Sequence, residues 1–125
     1  MPHKILVVDE MVDMLEIIAA IVQSAGYTVI TAKEGSEVLR NAERDIPSLI
    51  VVDVFHSRRD WSAVFEALGK NPITKDIPIL ILTEKVGSFQ PEQGFPLSAS
   101  DYLTKPLSPE GLLQKIKTHL PAIEM

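Results

Sequence analysis

Apolar positions in this chain come in two rhythms, short continuous blocks and longer stripes spaced three or four residues apart. Ile5–Val8, Leu49–Val52 and Ile79–Leu82 are unbroken apolar runs of four residues. Such runs predict strands covered on both faces, because a half-exposed strand would alternate polar and apolar positions. Met11–Ala25 is instead apolar at Met11, Met14, Leu15, Ile18, Ile21 and Val22, a helical stripe stopped by Gly26. Tyr27–Thr31 then predicts a second strand. Ser36–Arg44 is a short helix turning Val38, Leu39 and Ala42 inward, and Pro47 introduces the strand Leu49–Val52.

The same alternation continues to the C-terminus. Trp61–Lys70 reads as a helix with Val64, Phe65 and Leu68 on one face. Asn71-Pro72 and Ile77-Pro78 bracket a turn before the strand Ile79–Leu82. Asp101–Thr104 is the last expected strand. Ser108-Pro109-Glu110 has the order of a helix start, with Ser as cap and Pro at the first helical position, and that helix runs to about Leu120. One segment departs from the rhythm. A fourth helix is expected between Thr83 and Asp101, but two prolines and two glycines there leave room for about one helical turn after Pro91.

Five strands alternating with helices predict an α/β fold, a parallel sheet with helices on both faces. Right-handed crossovers reduce the topologies to a few doubly wound orders, of which the flavodoxin-like 2-1-3-4-5 is common at this size. In that order strands 1 and 3 are neighbours about 4.8 Å apart, at the switch point where ligands bind beyond the carboxyl ends. Asp9 and Glu10 follow strand 1, Asp53 follows strand 3, Thr83 follows strand 4 and Lys105 follows strand 5. All five are therefore expected at one edge of the sheet.

Composition bounds the rest. The 125 residues are expected to form a single domain spanning 1–125; 46% of them are hydrophobic and 23% charged, ordinary globular values that argue against disorder. A net charge of −5 argues against bulk nucleic-acid binding, and Arg58-Arg59 is the only basic dipeptide. With no cysteine, disulfides and thiolate metal sites are excluded. The N-terminus lacks a signal peptide's apolar core, and the stretch Met11 to Val22 is too short and too interrupted by Asp13 and Glu16 to span a bilayer. A cytoplasmic location without membrane contact is the expectation. The five residues after Leu120 are too few for an output domain, so the chain reads as a stand-alone protein or as a piece of a longer one.

Taken singly, an Asp after a strand is ordinarily a cap or turn residue, and a Thr or Lys at a strand end is ordinary surface chemistry. Taken together they outline a site. Three crowded carboxylates repel unless protonated or bridged by a cation. Oxygen ligands without Cys or His suit Mg²⁺, which keeps several waters and uses one or two carboxylates. A hydroxyl and an ammonium beside such an ion would receive a phosphoryl group, with an Asp carboxylate as its acceptor.

These residues carry a resemblance covering nearly the whole chain. Val7-Val8-Asp9-Glu10, Leu49-Ile50-Val51-Val52-Asp53, Ile77-Pro78-Ile79-Leu80-Ile81-Leu82-Thr83 and Asp101-Tyr102-Leu103-Thr104-Lys105-Pro106 resemble the signatures of receiver domains of bacterial two-component response regulators. Thr83 and Lys105 stand 22 positions apart, a separation that fits the family without a gap. The resemblance implies that Asp53 accepts a phosphoryl group from a sensor histidine kinase or phosphotransfer protein. It implies Mg²⁺ held by Glu10, Asp53 and the backbone carbonyl of Phe55, with Asp9 acting through water. Thr83 and Tyr102 would then act as the switch, altering a surface made by the fourth helix, fifth strand and fifth helix for a downstream protein target. It also implies no enzymatic turnover beyond self-phosphorylation and autodephosphorylation, and a cis Lys105-Pro106 bond.

The chain also departs from that family. Glu10 stands where Asp is usual, which changes reach. Glu84 replaces a small residue, and a second anion about 6 Å from a phosphoryl charge would cost roughly 3 kcal/mol at an effective dielectric of about 20. Ser57 stands in place of Pro, and Arg58 and Trp61 in place of Gly. Trp61 is expected to face the core at the start of its helix, with a partner anchor as the other reading. The Pro/Gly-rich segment falls on the family's usual output surface, where Phe89, Phe95 and Leu97 either pack it down or form a contact patch. The rival reading is a phosphate-independent pseudo-receiver, an interaction module. A phosphatase with an Asp nucleophile is disfavoured, because it wants a second Asp two positions after the first and Met11 stands there.

Overall fold

The continuous apolar runs lie where helices cover them on both sides. The structure, a computed structural model, describes residues 3–54, 61–83, 99–104 and 108–120. Its strands are β1 (Lys4–Val8), β2 (Thr28–Ala32), β3 (Leu49–Asp53), β4 (Ile79–Thr83) and β5 (Ala99–Thr104). They form one parallel sheet in the order β2-β1-β3-β4-β5. The helices among the described residues are α1 (Val12–Ser24), α2 (Gly35–Asp45), α3 (Ser62–Lys70) and α4 (Pro109–His119), the last being the fifth helix expected from sequence. The shortened fourth helix expected between Thr83 and Asp101 falls mostly outside the described residues.

Strand alternation divides the core in two. Leu6, Val8, Ile50, Val52 and Ile81 face one side with Val38 and Ala42 of α2 and Phe65 and Leu68 of α3. Ile5, Val7, Leu49, Val51 and Leu80 face the other with Leu15, Ile18 and Val22 of α1 and Leu112 and Ile116 of α4. Each large aliphatic side chain buried this way contributes about 1.5–3 kcal/mol, and the buried positions 5–8 of β1 and 49–52 of β3 are all apolar.

Element ends follow local chemistry. Gly26, at φ +92°, ends α1 in a conformation only glycine takes without strain. α2 ends on Ile46 in the left-handed region at φ 44° and ψ 67°, with its N–H bonded to the Ala42 carbonyl at 2.9 Å. A β-branched residue there is strained, and Pro47 disfavours continuing the helix through it. The Ser108 hydroxyl caps α4 by accepting from the Gly111 N–H at 2.9 Å, with Pro109 in the first turn.

Element boundaries differ from the sequence reading by one or two residues, and for three of the strand ends the pairing gives the reason. β2 begins at Thr28 rather than Tyr27, because Thr28 pairs with Lys4 and donates to the His3 carbonyl at 2.9 Å. β5 begins at Ala99, two residues early, because Ala99 pairs with Ile79 across an irregularity in the register. β3 reaches Asp53, which pairs with Leu82.

Candidate functional site

Parallel register brings the strand ends together. Val8 of β1 is opposite Val52 of β3, so Asp9 and Asp53 come one step later at the same edge. Both are almost fully enclosed, at 2% exposure each. Asp53 closes β3, and the next N–H, from Val54, donates to the Leu82 carbonyl at 3.0 Å, which fixes the strand end against β4. Glu10 is half-buried immediately after Asp9. Thr83 is the last residue of β4 and pairs with Thr104 of β5, so position 105 follows at the same edge. Tyr102 lies in β5 opposite Ile81. Phe55, Lys105 and Pro106, named from sequence, are outside the described residues, as are Glu84, Ser57 and Arg58.

Asp9 does more than line the edge. Its backbone N–H donates to the Ala32 carbonyl at 3.2 Å, and its Oδ1 accepts the Met11 N–H at 2.9 Å. That turn sets the start of α1, whose cap position Met11 offers no side-chain acceptor of its own. Sequence reasoning had weighed a cap role for Asp9 against a site role; the carboxylate serves the turn through one oxygen while buried at the strand edge. Met11 and Val12, which follow soon after it in the chain, are exposed apolar residues. The spacing of Met11 to Leu15 and Ile18 places Met11 on the inward stripe; it is exposed instead because it is the cap residue, with extended backbone, ahead of the first turn of α1. Trp61 is buried and stacks on Phe65 with ring centroids 6.4 Å apart, so it is part of the core.

The donor set can be tested against a cation. Two buried carboxylates and a half-buried third, all oxygen donors, suit a hard divalent ion. Among the described residues, no three His, Cys, Asp or Glu side chains gather closely enough to form a cage unaided. Mg²⁺ does not require one, because it retains waters and binds through one or two carboxylates. Asp9, Glu10 and Asp53 therefore fit the ion as a partial, water-completed ligand set. On the surface, a hydrogen bond from Arg44 holds the Asp45 carboxyl below its ordinary value, and one from Lys70 does the same for Glu66.

Comparison with known proteins identifies the family of the chain. Residues 5–117 match the family described as the response regulator receiver domain. The chain belongs to that family. As a receiver domain it takes part in two-component signalling. Over its whole length it is 38% identical to the alkaline phosphatase synthesis transcriptional regulatory protein PhoP of Bacillus subtilis, spanning 51% of that protein. It is 31% identical to Protein PilG of Pseudomonas aeruginosa over 95% of the chain and 88% of PilG. The chemotaxis response regulator CheY4 of Vibrio cholerae superposes with a TM-score of 0.82 at 30% identity, covering 96% of this chain and 100% of CheY4. The chain thus spans about half the length of several curated relatives it matches, and most of PilG. Among the described residues, no helix is long and apolar enough to cross a membrane.

Proposed function

We propose that this receiver accepts a phosphoryl group on Asp53 from the phosphohistidine of a sensor histidine kinase or phosphotransfer protein. The observation that carries this reading is the enclosure of Asp53 beside Asp9 at the carboxyl edge of β1 and β3. An aspartate kept there costs stability through repulsion and desolvation, a cost of the kind that functional sites carry. A carboxylate oxygen of Asp53 attacks phosphorus as the phosphorus–nitrogen bond to the imidazole breaks. Asp9, Glu10, Asp53 and the Phe55 carbonyl would hold Mg²⁺, whose chemistry there is neutralisation of phosphoryl oxygen charge. Thr83 and Lys105 serve as hydroxyl and ammonium partners of the phosphoryl group, and Thr83 with Tyr102 passes the change to the surface of β5 and α4, where a protein target reads it. Turnover is confined to self-phosphorylation and autodephosphorylation. The exposed Met11 and Val12 give the donor protein an apolar surface to dock on.

The test is incubation with Mg²⁺ and acetyl phosphate, read by intact mass. A gain of one phosphoryl group that disappears in Asp53→Asn and on omission of Mg²⁺ supports the reading. No gain in the wild type, together with no response to beryllofluoride, supports the phosphate-independent interaction module instead. Glu84 after Thr83 and the altered residues 57, 58 and 61 after Asp53 are what favour that second reading.

A further inference from the structure

The first residue of α2 lies against the first turn of α3 more closely than a side chain would allow. Gly35 is buried, and a Cβ placed on it would stand 2.7 Å from Cγ2 of Val64. Val64 does not readily turn away, because a valine in a helix is nearly confined to one rotamer and this one packs against the α2–α3 core. Opening that contact from 2.7 to an ordinary 3.4 Å therefore parts the two helix starts by about 0.7 Å. The α3 side is the firmer one, since the buried rings of Trp61 and Phe65 stack there. The start of α2 is held instead by a long, exposed bond, in which the Lys33 N–H donates to Glu37 Oε1 at 3.3 Å. Only Lys33 and Glu34 separate Gly35 from Ala32, the end of β2, whose carbonyl accepts the Asp9 N–H at 3.2 Å.

We propose that Gly35 is a positioning residue for the acidic site: its missing side chain lets α2 start where the end of β2 can hold Asp9 by its backbone. Asp9 is then tied twice, by its N–H to Ala32 and by Oδ1 to the Met11 N–H. A ligand set works only when held within about 0.5 Å of its productive geometry. A displacement of about 0.7 Å at Gly35, passed through a two-residue connection, is on the scale that spoils it. The inference rests on the reading above that Asp9 belongs to a Mg²⁺ ligand set. Helix propensity alone predicts the opposite effect, since Gly35→Ala would then improve α2 and leave the site as it was.

The test is a cycle of Gly35→Ala, Val64→Ala and the double variant, with Gly69→Ala as control, because a Cβ on Gly69 meets nothing within 4 Å. Mg²⁺ is titrated by amide NMR shifts, and hydrogen exchange is followed at the Asp9 and Met11 amides without metal. Gly35→Ala should raise the Mg²⁺ dissociation constant by about tenfold, the lower end of what disturbing a metal ligand's support costs. It should also speed exchange at Asp9 and leave Trp61 emission unchanged. The double variant should return affinity and exchange to those of Val64→Ala, and Gly69→Ala should alter neither. Unchanged Mg²⁺ affinity and Asp9 exchange in Gly35→Ala overturn the proposal, as does a loss that Val64→Ala does not rescue. A shift in Trp61 emission overturns it too, because α3 then gives way instead, and so does a Gly35→Ala chain that cannot fold, because the contact then supports the fold rather than the site. A wild type that binds no Mg²⁺ removes Asp9 from a ligand set and sinks the earlier reading; rescued, faster Asp9 exchange in the same cycle still upholds the role of Gly35, and unchanged exchange overturns it.

Discussion

Replacing Asp53 by Asn should stabilise the protein. The register places Asp9 and Asp53 at the ends of adjacent strands, one step beyond Val8 and Val52, and both are almost fully enclosed. Neighbouring parallel strands are about 4.8 Å apart, which puts the carboxylates about 6 Å from one another. Two unit charges at that distance repel by about 3 kcal/mol at an effective dielectric of about 20. Hydrogen bonds to the carboxylates reduce that figure, so a gain of about 1–3 kcal/mol is expected from the isosteric amide, or about 4–12 °C in melting temperature for a domain of this size.

The assay is thermal unfolding by circular dichroism at pH 7, with and without MgCl₂. At Mg²⁺ ten times its dissociation constant, ligand linkage adds about 1.4 kcal/mol to the wild type. Asp53→Asn, already relieved of repulsion and short of a ligand, should gain little from the ion. The two proteins should therefore converge in stability as Mg²⁺ rises. An Asn variant less stable than the wild type without Mg²⁺ would refute the argument that charge crowding dominates at this edge. Equal stabilisation of both proteins by the ion would refute the assignment of Asp53 to its ligand set.

Other consequences are simpler to state. Phe65→Ala empties the centre of the α2–α3 core and removes the ring that Trp61 stacks on; a loss of about 3–5 kcal/mol and a changed Trp61 emission are expected in denaturant titration. Ile46→Gly relieves the left-handed strain at the end of α2 and should add about 0.5–1 kcal/mol, measured the same way, whereas Ile46→Val should not. Ser108→Ala removes the α4 cap and should cost about 1 kcal/mol, with faster amide exchange at Gly111. Lys70 lowers the Glu66 carboxyl from its ordinary 4.5, so that pair contributes above this value and its contribution fades as acid protonates Glu66; the stability difference between wild type and Glu66→Gln should be larger at pH 7 than at pH 3.

Much of this architecture was legible in the residues because both faces of the sheet are covered. The unbroken runs at 5–8, 49–52 and 79–82 have no amphipathic ambiguity, and each ends on a polar residue that could only sit at the edge. Where the pattern was weaker, the boundaries slipped. Ala99 and Ser100 carry no strand signal of their own and join β5 through pairing with β4. Tyr27 looks like a strand residue by propensity, yet pairing with β1 begins at Thr28. Local pattern also fell short on Ile46, since nothing in a β-branched residue before Pro47 announces a left-handed backbone. The site was legible as a set of positions, while the second duty of Asp9, holding Met11 at the start of α1, emerged only from geometry.

That second duty bears on how the site tolerates change. Because Asp9 Oδ1 is committed to the turn, its carboxylate cannot swing away to relieve repulsion from Asp53 without loosening the first turn of α1. Glu10 differs in length: its extra methylene gives its charge a longer reach than an Asp would have. Asp9 and Asp53 are almost fully enclosed, whereas Glu10 is half-buried, so the cost of crowding at this edge falls chiefly on the first two. Metal affinity should then depend more on residue 10, and the cost of the empty site more on residues 9 and 53. Glu10→Asp should alter the Mg²⁺ dependence of the melting temperature while leaving the metal-free value nearly unchanged, and Asp9→Asn should do the reverse, raising or lowering the metal-free value according to whether relieved repulsion or the weakened turn is the larger effect.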